Sequence, residues 1–172
     1  VDISVSRTSP VVGDDDFEQL TLTVTNLGFD TSTFEITILD ASGFDISLES
    51  SILSLTPGET STINFELRRT TATGTIDITI FVQDTSKPSI SDNIVITALE
   101  PTSMAELIIQ VSDSNVLPGD VLSGTLLVSN QGNQNDNFTL SSNGISCVIQ
   151  SSIEIESQKS VSLPFSCDIP TT

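Results

Sequence analysis

Few residues in this chain could do chemistry. Cys147 and Cys167 are its two cysteines. A thiol pair can close a disulfide, or supply part of a metal site that then needs further ligands. The sequence holds no histidine, which removes Ser-His-Asp and Cys-His nucleophile systems and any imidazole-ligated metal. Asp14, Asp15 and Asp16, with Glu18 following, form the densest acidic run. In a loop between strands their carboxylates could donate oxygens to calcium, which takes about six to eight oxygen ligands. Asn133-Gln134-Asn135-Asp136 is a weaker oxygen cluster, and neither has EF-hand spacing. A solvated acidic loop is the competing reading. Asn137-Phe138-Thr139 is an N-glycosylation sequon, which suits a surface position in a secreted protein. Paired carboxylates can cleave glycosides, but the chain has no Trp or Tyr to build sugar subsites. The expectation is a protein that is not an enzyme and needs no cofactor, with calcium the one ligand its residues suggest.

Composition narrows the partners. The 172 residues carry 23 Asp+Glu against 5 Lys+Arg, a formal net charge of −18. That argues against nucleic acid or an anionic membrane surface as partner. The acidic excess covers both halves, −12 over residues 1–101 and −6 over 102–172. Such a coat suits high salt, where screening removes self-repulsion. No apolar run approaches the roughly 18 residues of a membrane span, so no membrane insertion is expected in this segment. Val1 is not preceded by a signal-like stretch, as in a mature form or part of a longer chain.

The positioning elements follow from an internal repeat. VDISVSRTSPVVGDDDFEQLTLTVTN aligns without a gap to AELIIQVSDSNVLPGDVLSGTLLVSN, residues 105–130. Ile3 matches Leu107, Leu22 matches Leu126, Asn26 matches Asn130 and Gly28 matches Gly132. The match continues through Phe34 and Phe138 and ends near Phe65 and Phe165. This is a tandem of one module, with domains expected at 1–101 and 102–172 and Glu100-Pro101-Thr102-Ser103 as the link.

Within a module the apolar period is 2, as in Leu20, Leu22 and Val24, or Ile76, Ile78, Ile80 and Val82. Turn signals such as Asn26-Leu27-Gly28 and Pro57-Gly58 separate the runs. Seven or eight short strands in about 100 residues predict an all-β fold of tandem antiparallel β-sandwiches. The second module stops soon after Phe165, so its last two strands are missing. Its sheet edges and core face are then open. Either the natural chain continues, or a strand from another molecule completes the sandwich. Cys147 and Cys167 replace Ile46 and Leu67 of the first copy, two inward positions on neighbouring strands. A pair replacing a pair suggests a disulfide, worth about 3 kcal/mol by loop entropy, against the alternative of two buried thiols. A bridge points to an oxidising, extracytoplasmic compartment. The Arg68-Arg69 doublet is expected to pair with carboxylates at a strand end.

The motifs Leu22-Thr23-Val24-Thr25-Asn26-Leu27-Gly28 and Leu55-Thr56-Pro57-Gly58-Glu59, leading to Ile63-Asn64-Phe65, resemble a known group. It comprises the Ig-like or fibronectin-like, CARDB-like sandwich repeats of prokaryotic, especially archaeal, cell-surface and secreted proteins. The second copy departs at Glu156-Ser157-Gln158-Lys159. The resemblance implies Ig-like sandwiches in a non-catalytic surface-layer, stalk or filament protein at the cell surface. Other copies or domains of the same assembly would be its partners. The alternative is an accessory spacer of a secreted hydrolase, or an adhesive module using its loop tips.

Overall fold

Alternation of apolar and hydroxyl residues produces strands and no helices among the described residues, which are 1–172 except Asp16, Ser114 and Thr172. Among the described residues no helix is long and apolar enough to cross a membrane. In this computed structural model the chain divides into two units, Val1–Glu100 and Pro101–Thr172. Both are Ig-like antiparallel β-sandwiches.

The first unit contains β1 (Asp2–Val5), β2 (Glu18–Thr25), β3 (Ser32–Leu39), β4 (Phe44–Leu48), β5 (Ile52–Leu55), β6 (Thr60–Arg69), β7 (Ile76–Asp84) and β8 (Ser91–Ala98). One sheet runs β1-β2-β6-β4 and the other β5-β3-β7-β8. Period 2 puts Leu20, Leu22 and Val24 of β2, and Ile63, Phe65 and Leu67 of β6, on one buried face. Leu20 lies opposite Phe65 and Leu22 opposite Ile63. Across the sandwich all of these but Leu67 pack with Phe34 and Ile36 of β3, Ile80 and Val82 of β7, and Ile96 of β8, while Leu67 packs with Val12, Ile78 and Ala98. Each buried side chain of this size stabilises by roughly 1.5–3 kcal/mol. The β3–β4 and β6–β7 turns interlock at Gly43, whose carbonyl takes N–H bonds from Thr70, Thr71 and Ala72. Gly43 has φ 83°, and a Cβ there would lie 2.5 Å from the Ala72 nitrogen, so glycine is required.

The arginine doublet divides its work. Arg68 pairs with Asp45 at 2.9 Å and stacks on Phe17. Arg69 departs from the expected carboxylate pairing. It is buried, and its guanidinium donates to the carbonyls of Val12, Ala72, Gly74 and Ala98 at 2.9–3.3 Å. The planar fork suits this use because it ties four separate backbone oxygens to one side chain. Arg69→Lys should therefore lower the first unit's unfolding midpoint, although it keeps the charge. Urea denaturation measures this, and an unchanged midpoint would show that the fork is dispensable.

Asp84, at the end of β7, has no surface exposure. Hydroxyls of Ser32 and Ser86, then the backbone N–H of Ser86, outweigh burial and hold its carboxyl far below the usual carboxylate range, with the N–H of Lys87 adding to them. Its Oδ1 accepts from Ser86 N–H, Ser86 Oγ and Lys87 N–H at 2.8–2.9 Å. A folded-state pKa below the unfolded value gives stability that is complete above the unfolded pKa and lost as pH falls. Stability of the first unit should thus decline as pH drops below 3.8. Asp84→Asn should flatten that decline in acid melting curves, and an unaltered slope would assign it to other carboxylates.

The second unit contains β9 (Ala105–Val111), β10 (Val121–Asn130), β11 (Asp136–Thr139), β12 (Ser146–Val148), β13 (Ser152–Ile155) and β14 (Ser160–Asp168). Its sheets run β12-β14-β10-β9 and β11-β13. Leu126 lies opposite Leu163, where Leu22 lies opposite Ile63 in the first copy.

Candidate functional site

The repeat lets one unit serve as the template for the other. β9, β10, β14 and β12 reproduce β1, β2, β6 and β4, and β11-β13 reproduces β3-β5. The described residues hold no counterpart of β7 and β8. In the first unit β3 pairs with β5 on one side and β7 on the other. β11 pairs with β13, and no described strand pairs with its other side.

The missing layer leaves a groove of about 310 Å³ in the second unit. Leu107, Ile109 and Val111 of β9, Leu122 and Leu126 of β10, and Phe165 of β14 line it. All seven residues of β9 are exposed. The contrast between equivalent residues is direct: Ile3 is 8% exposed and Leu107 is 51% exposed. β8 makes that difference in the first unit, where its Asp92 also accepts the backbone N–H of Ile3. One sequence change alters the core beneath. Gly124 stands where the first copy has Leu20, and a Cβ there would lie 2.1 Å from the Gln110 carbonyl oxygen and 2.8 Å from the Phe165 ring. That ring therefore occupies space which Leu20 fills in the first unit. Large apolar faces of this kind mark interaction sites.

Cys147 and Cys167 are joined in a disulfide. They lie opposite each other on β12 and β14, as Ile46 and Leu67 do on β4 and β6. The bridge stands at one border of the groove. The other residues singled out in the sequence lie apart from it. Asp14 and Asp15 are exposed in a bend before β2, and Asp16 lies outside the described residues. Among the described residues no three Asp, Glu, Cys or His side chains gather as a metal site would need. Asn137 is exposed on β11, and its Oδ1 accepts from Ser152 Oγ at 2.7 Å. Phe34, Phe65 and Phe165 are buried, and Phe138 packs half-buried against the second core. The role of Asn26 and Asn130 goes beyond what the sequence reading assigned. Each is 1% exposed, and each bonds two carbonyls and a glycine N–H. The recurring Asn-x-Gly is the signal that marks them.

No protein-family model and no curated protein sequence matches the chain. Solved structures overlap it loosely. A protein of unknown function from Porphyromonas gingivalis W83 is 19% identical, with a TM-score of 0.41 over 96% of this chain and 83% of that one. The E. coli chaperone DraB is 14% identical, with a TM-score of 0.40 over 95% and 84%. The secreted serine protease VesC from Vibrio cholerae is 10% identical, with a TM-score of 0.42 over 98% and 47%. Overlap at this level carries no argument about activity or partner.

Proposed function

We propose that this chain is a non-catalytic structural segment of an extracellular surface-layer, stalk or filament protein, built of Ig-like sandwiches in series. The observation that carries the reading is the open inner face of the second unit. Its strands follow the first unit's order and register, yet its apolar groove stops where β7 and β8 would lie. A face of that kind is made to receive further strands, through backbone pairing along β11 and apolar side chains at alternate positions. The disulfide fits an oxidising compartment outside the cytoplasm. CARDB-like repeats of surface proteins, to which the turn motifs are similar, would use such sandwiches as spacers.

The test is behaviour in solution. At physiological salt the 172-residue chain should bind an apolar dye and self-associate as concentration rises. Ile109→Asp, at an exposed groove position, should suppress both without unfolding the chain. A strictly monomeric chain that binds no dye would overturn the open groove. Turnover of any of a panel of glycan, peptide and ester substrates would overturn the non-catalytic reading.

A further inference from the structure

The second unit grips its own incoming segment. Thr102, Ser103 and Met104 run in extended form across the Asn130–Asn133 turn. Gln131 N–H donates to the Met104 carbonyl at 2.7 Å, and Asn133 N–H to the Thr102 carbonyl at 3.1 Å. Thr102 N–H donates in return to Asn133 Oδ1 at 2.7 Å. A Cβ on Gly132 would lie 2.1 Å from the Thr102 carbonyl oxygen, so the segment passes where only glycine leaves room. The turn is braced from beneath. Asn130 fixes its shape, and Gln158 Nε2 donates to the carbonyls of Gln131 and Gly132 at 2.8 Å each. Gln158 holds φ 59° to do so, at the position where the first unit has Gly58 at φ 76°. A left-handed backbone is strained for a non-glycine residue, and its two side-chain bonds offset that strain.

The first unit carries the same device. Asn26 makes the same three bonds as Asn130, to the carbonyls of Asp30 and Leu55 and from Gly28 N–H, all at 2.9 Å. Strand register is also shared. Asp2 lies opposite Thr25 in one unit and Glu106 opposite Ser129 in the other. Met104 therefore corresponds to the residue directly before Val1, and Thr102 to the third before it. Yet no described residue lies over this turn. Gly28 is exposed where Gly132 is buried, and a Cβ on it would meet only Asn26 Oδ1, at 3.1 Å. Leu27 is 65% exposed and Phe29 is 98% exposed. A nearly bare Phe ring beside two backbone donors is an unusual thing for a turn to offer water.

We propose that the Asn26–Phe29 turn is a docking seat for the stretch of the same polypeptide leading into Val1, held as Thr102–Met104 are held. Leu27 and Phe29 N–H donate to its carbonyls, Gly28 leaves room for its backbone, and the Leu27 and Phe29 side chains cover it. Phe29 has no amide oxygen like that of Asn133, so the segment's backbone N–H at the Thr102 position gains no side-chain acceptor here, and the bare Phe29 ring favours an apolar side chain in the segment. This clasp does not rest on the serial reading proposed above.

The experiment uses the full chain with and without three added residues, Leu-Ser-Met, before Val1. The extension should slow hydrogen exchange of the Leu27 and Phe29 amides at least tenfold. Gly28→Ala should abolish that slowing while leaving the unextended chain's amide spectrum largely unchanged. Gly132→Ala should speed exchange at Gln131 and Asn133 as Thr102–Met104 is displaced. Unchanged exchange at Leu27 and Phe29 in the extended chain would overturn the seat, and so would full slowing in the Gly28→Ala chain. These amides report on the first unit and the groove lies in the second, so the clasp and the structural reading can fail separately.

Discussion

Replacing Cys147 and Cys167 together by Ala should lower the stability of the second unit by about 3 kcal/mol and leave the first unit's transition in place. The bridge closes a loop with a sequence separation of 20. Loop-closure entropy for that length gives roughly 3 kcal/mol at 25 °C. The loss matters because the second core is thin. Its buried cluster is Leu126, Val128, Ile155, Leu163, Phe165 and Cys167, whereas the first unit buries two clusters that span both of its sheets. Net stabilities of domains are only about 5–15 kcal/mol, so the second unit should melt first and lose its cooperative transition in reductant. Cys147→Ile with Cys167→Leu installs the first copy's own pair. It should recover part of the loss through apolar burial, at about 1.5–3 kcal/mol per side chain. Calorimetry of the three chains, with and without reductant, separates covalent from packing contributions. A lower transition indifferent to both substitutions and reductant would show that the bridge is not what holds β12 to β14.

The second large effect runs the other way. A copy of residues 73–99 appended after Thr172 places β7 and β8 in the frame they occupy after residue 72 of the first unit. Their inward residues Ile78, Ile80, Val82 and Ile96 are buried in their own unit. Laid against Leu107, Ile109 and Phe165, each such side chain contributes roughly 1.5–3 kcal/mol, and β11 gains a backbone partner along its open edge. The lower transition should rise by on the order of 3 kcal/mol and dye binding should fall. An appended copy with Ser at 78, 80 and 82 should do neither. Equal effects from the two extensions would mean that chain length, not groove filling, is responsible.

Much of this was legible in the residues. Period-2 alternation gave the strands, because each sandwich sheet has one buried face and a half-buried strand has no other way to be written. Aligning the copies placed Cys147 and Cys167 on Ile46 and Leu67, and the structure puts both pairs in register. The shortness of the second copy pointed to the open face. Arg69 was not legible as a buried residue, because its partners are backbone carbonyls from turns and a strand end far apart in sequence. Such oxygens carry no side-chain signature. Asp84 was hidden for the same reason, since hydroxyls and turn N–H groups hold it and no cation does. Gly124 shows a third limit. As a lone glycine in a strand it signals a close approach, but not that the Gln110 carbonyl and the Phe165 ring are what approach.

The most direct measurement is hydrogen exchange of β9 and β11 in the chain as it stands and in the chain carrying the appended residues 73–99. An open second sandwich leaves both strands exchanging far faster than β1 and β3 in the first case, and slows them at least tenfold in the second. If β9 and β11 are already as protected as β1 and β3, or if the appended hairpin leaves them unchanged, the second unit is not an acceptor of strands.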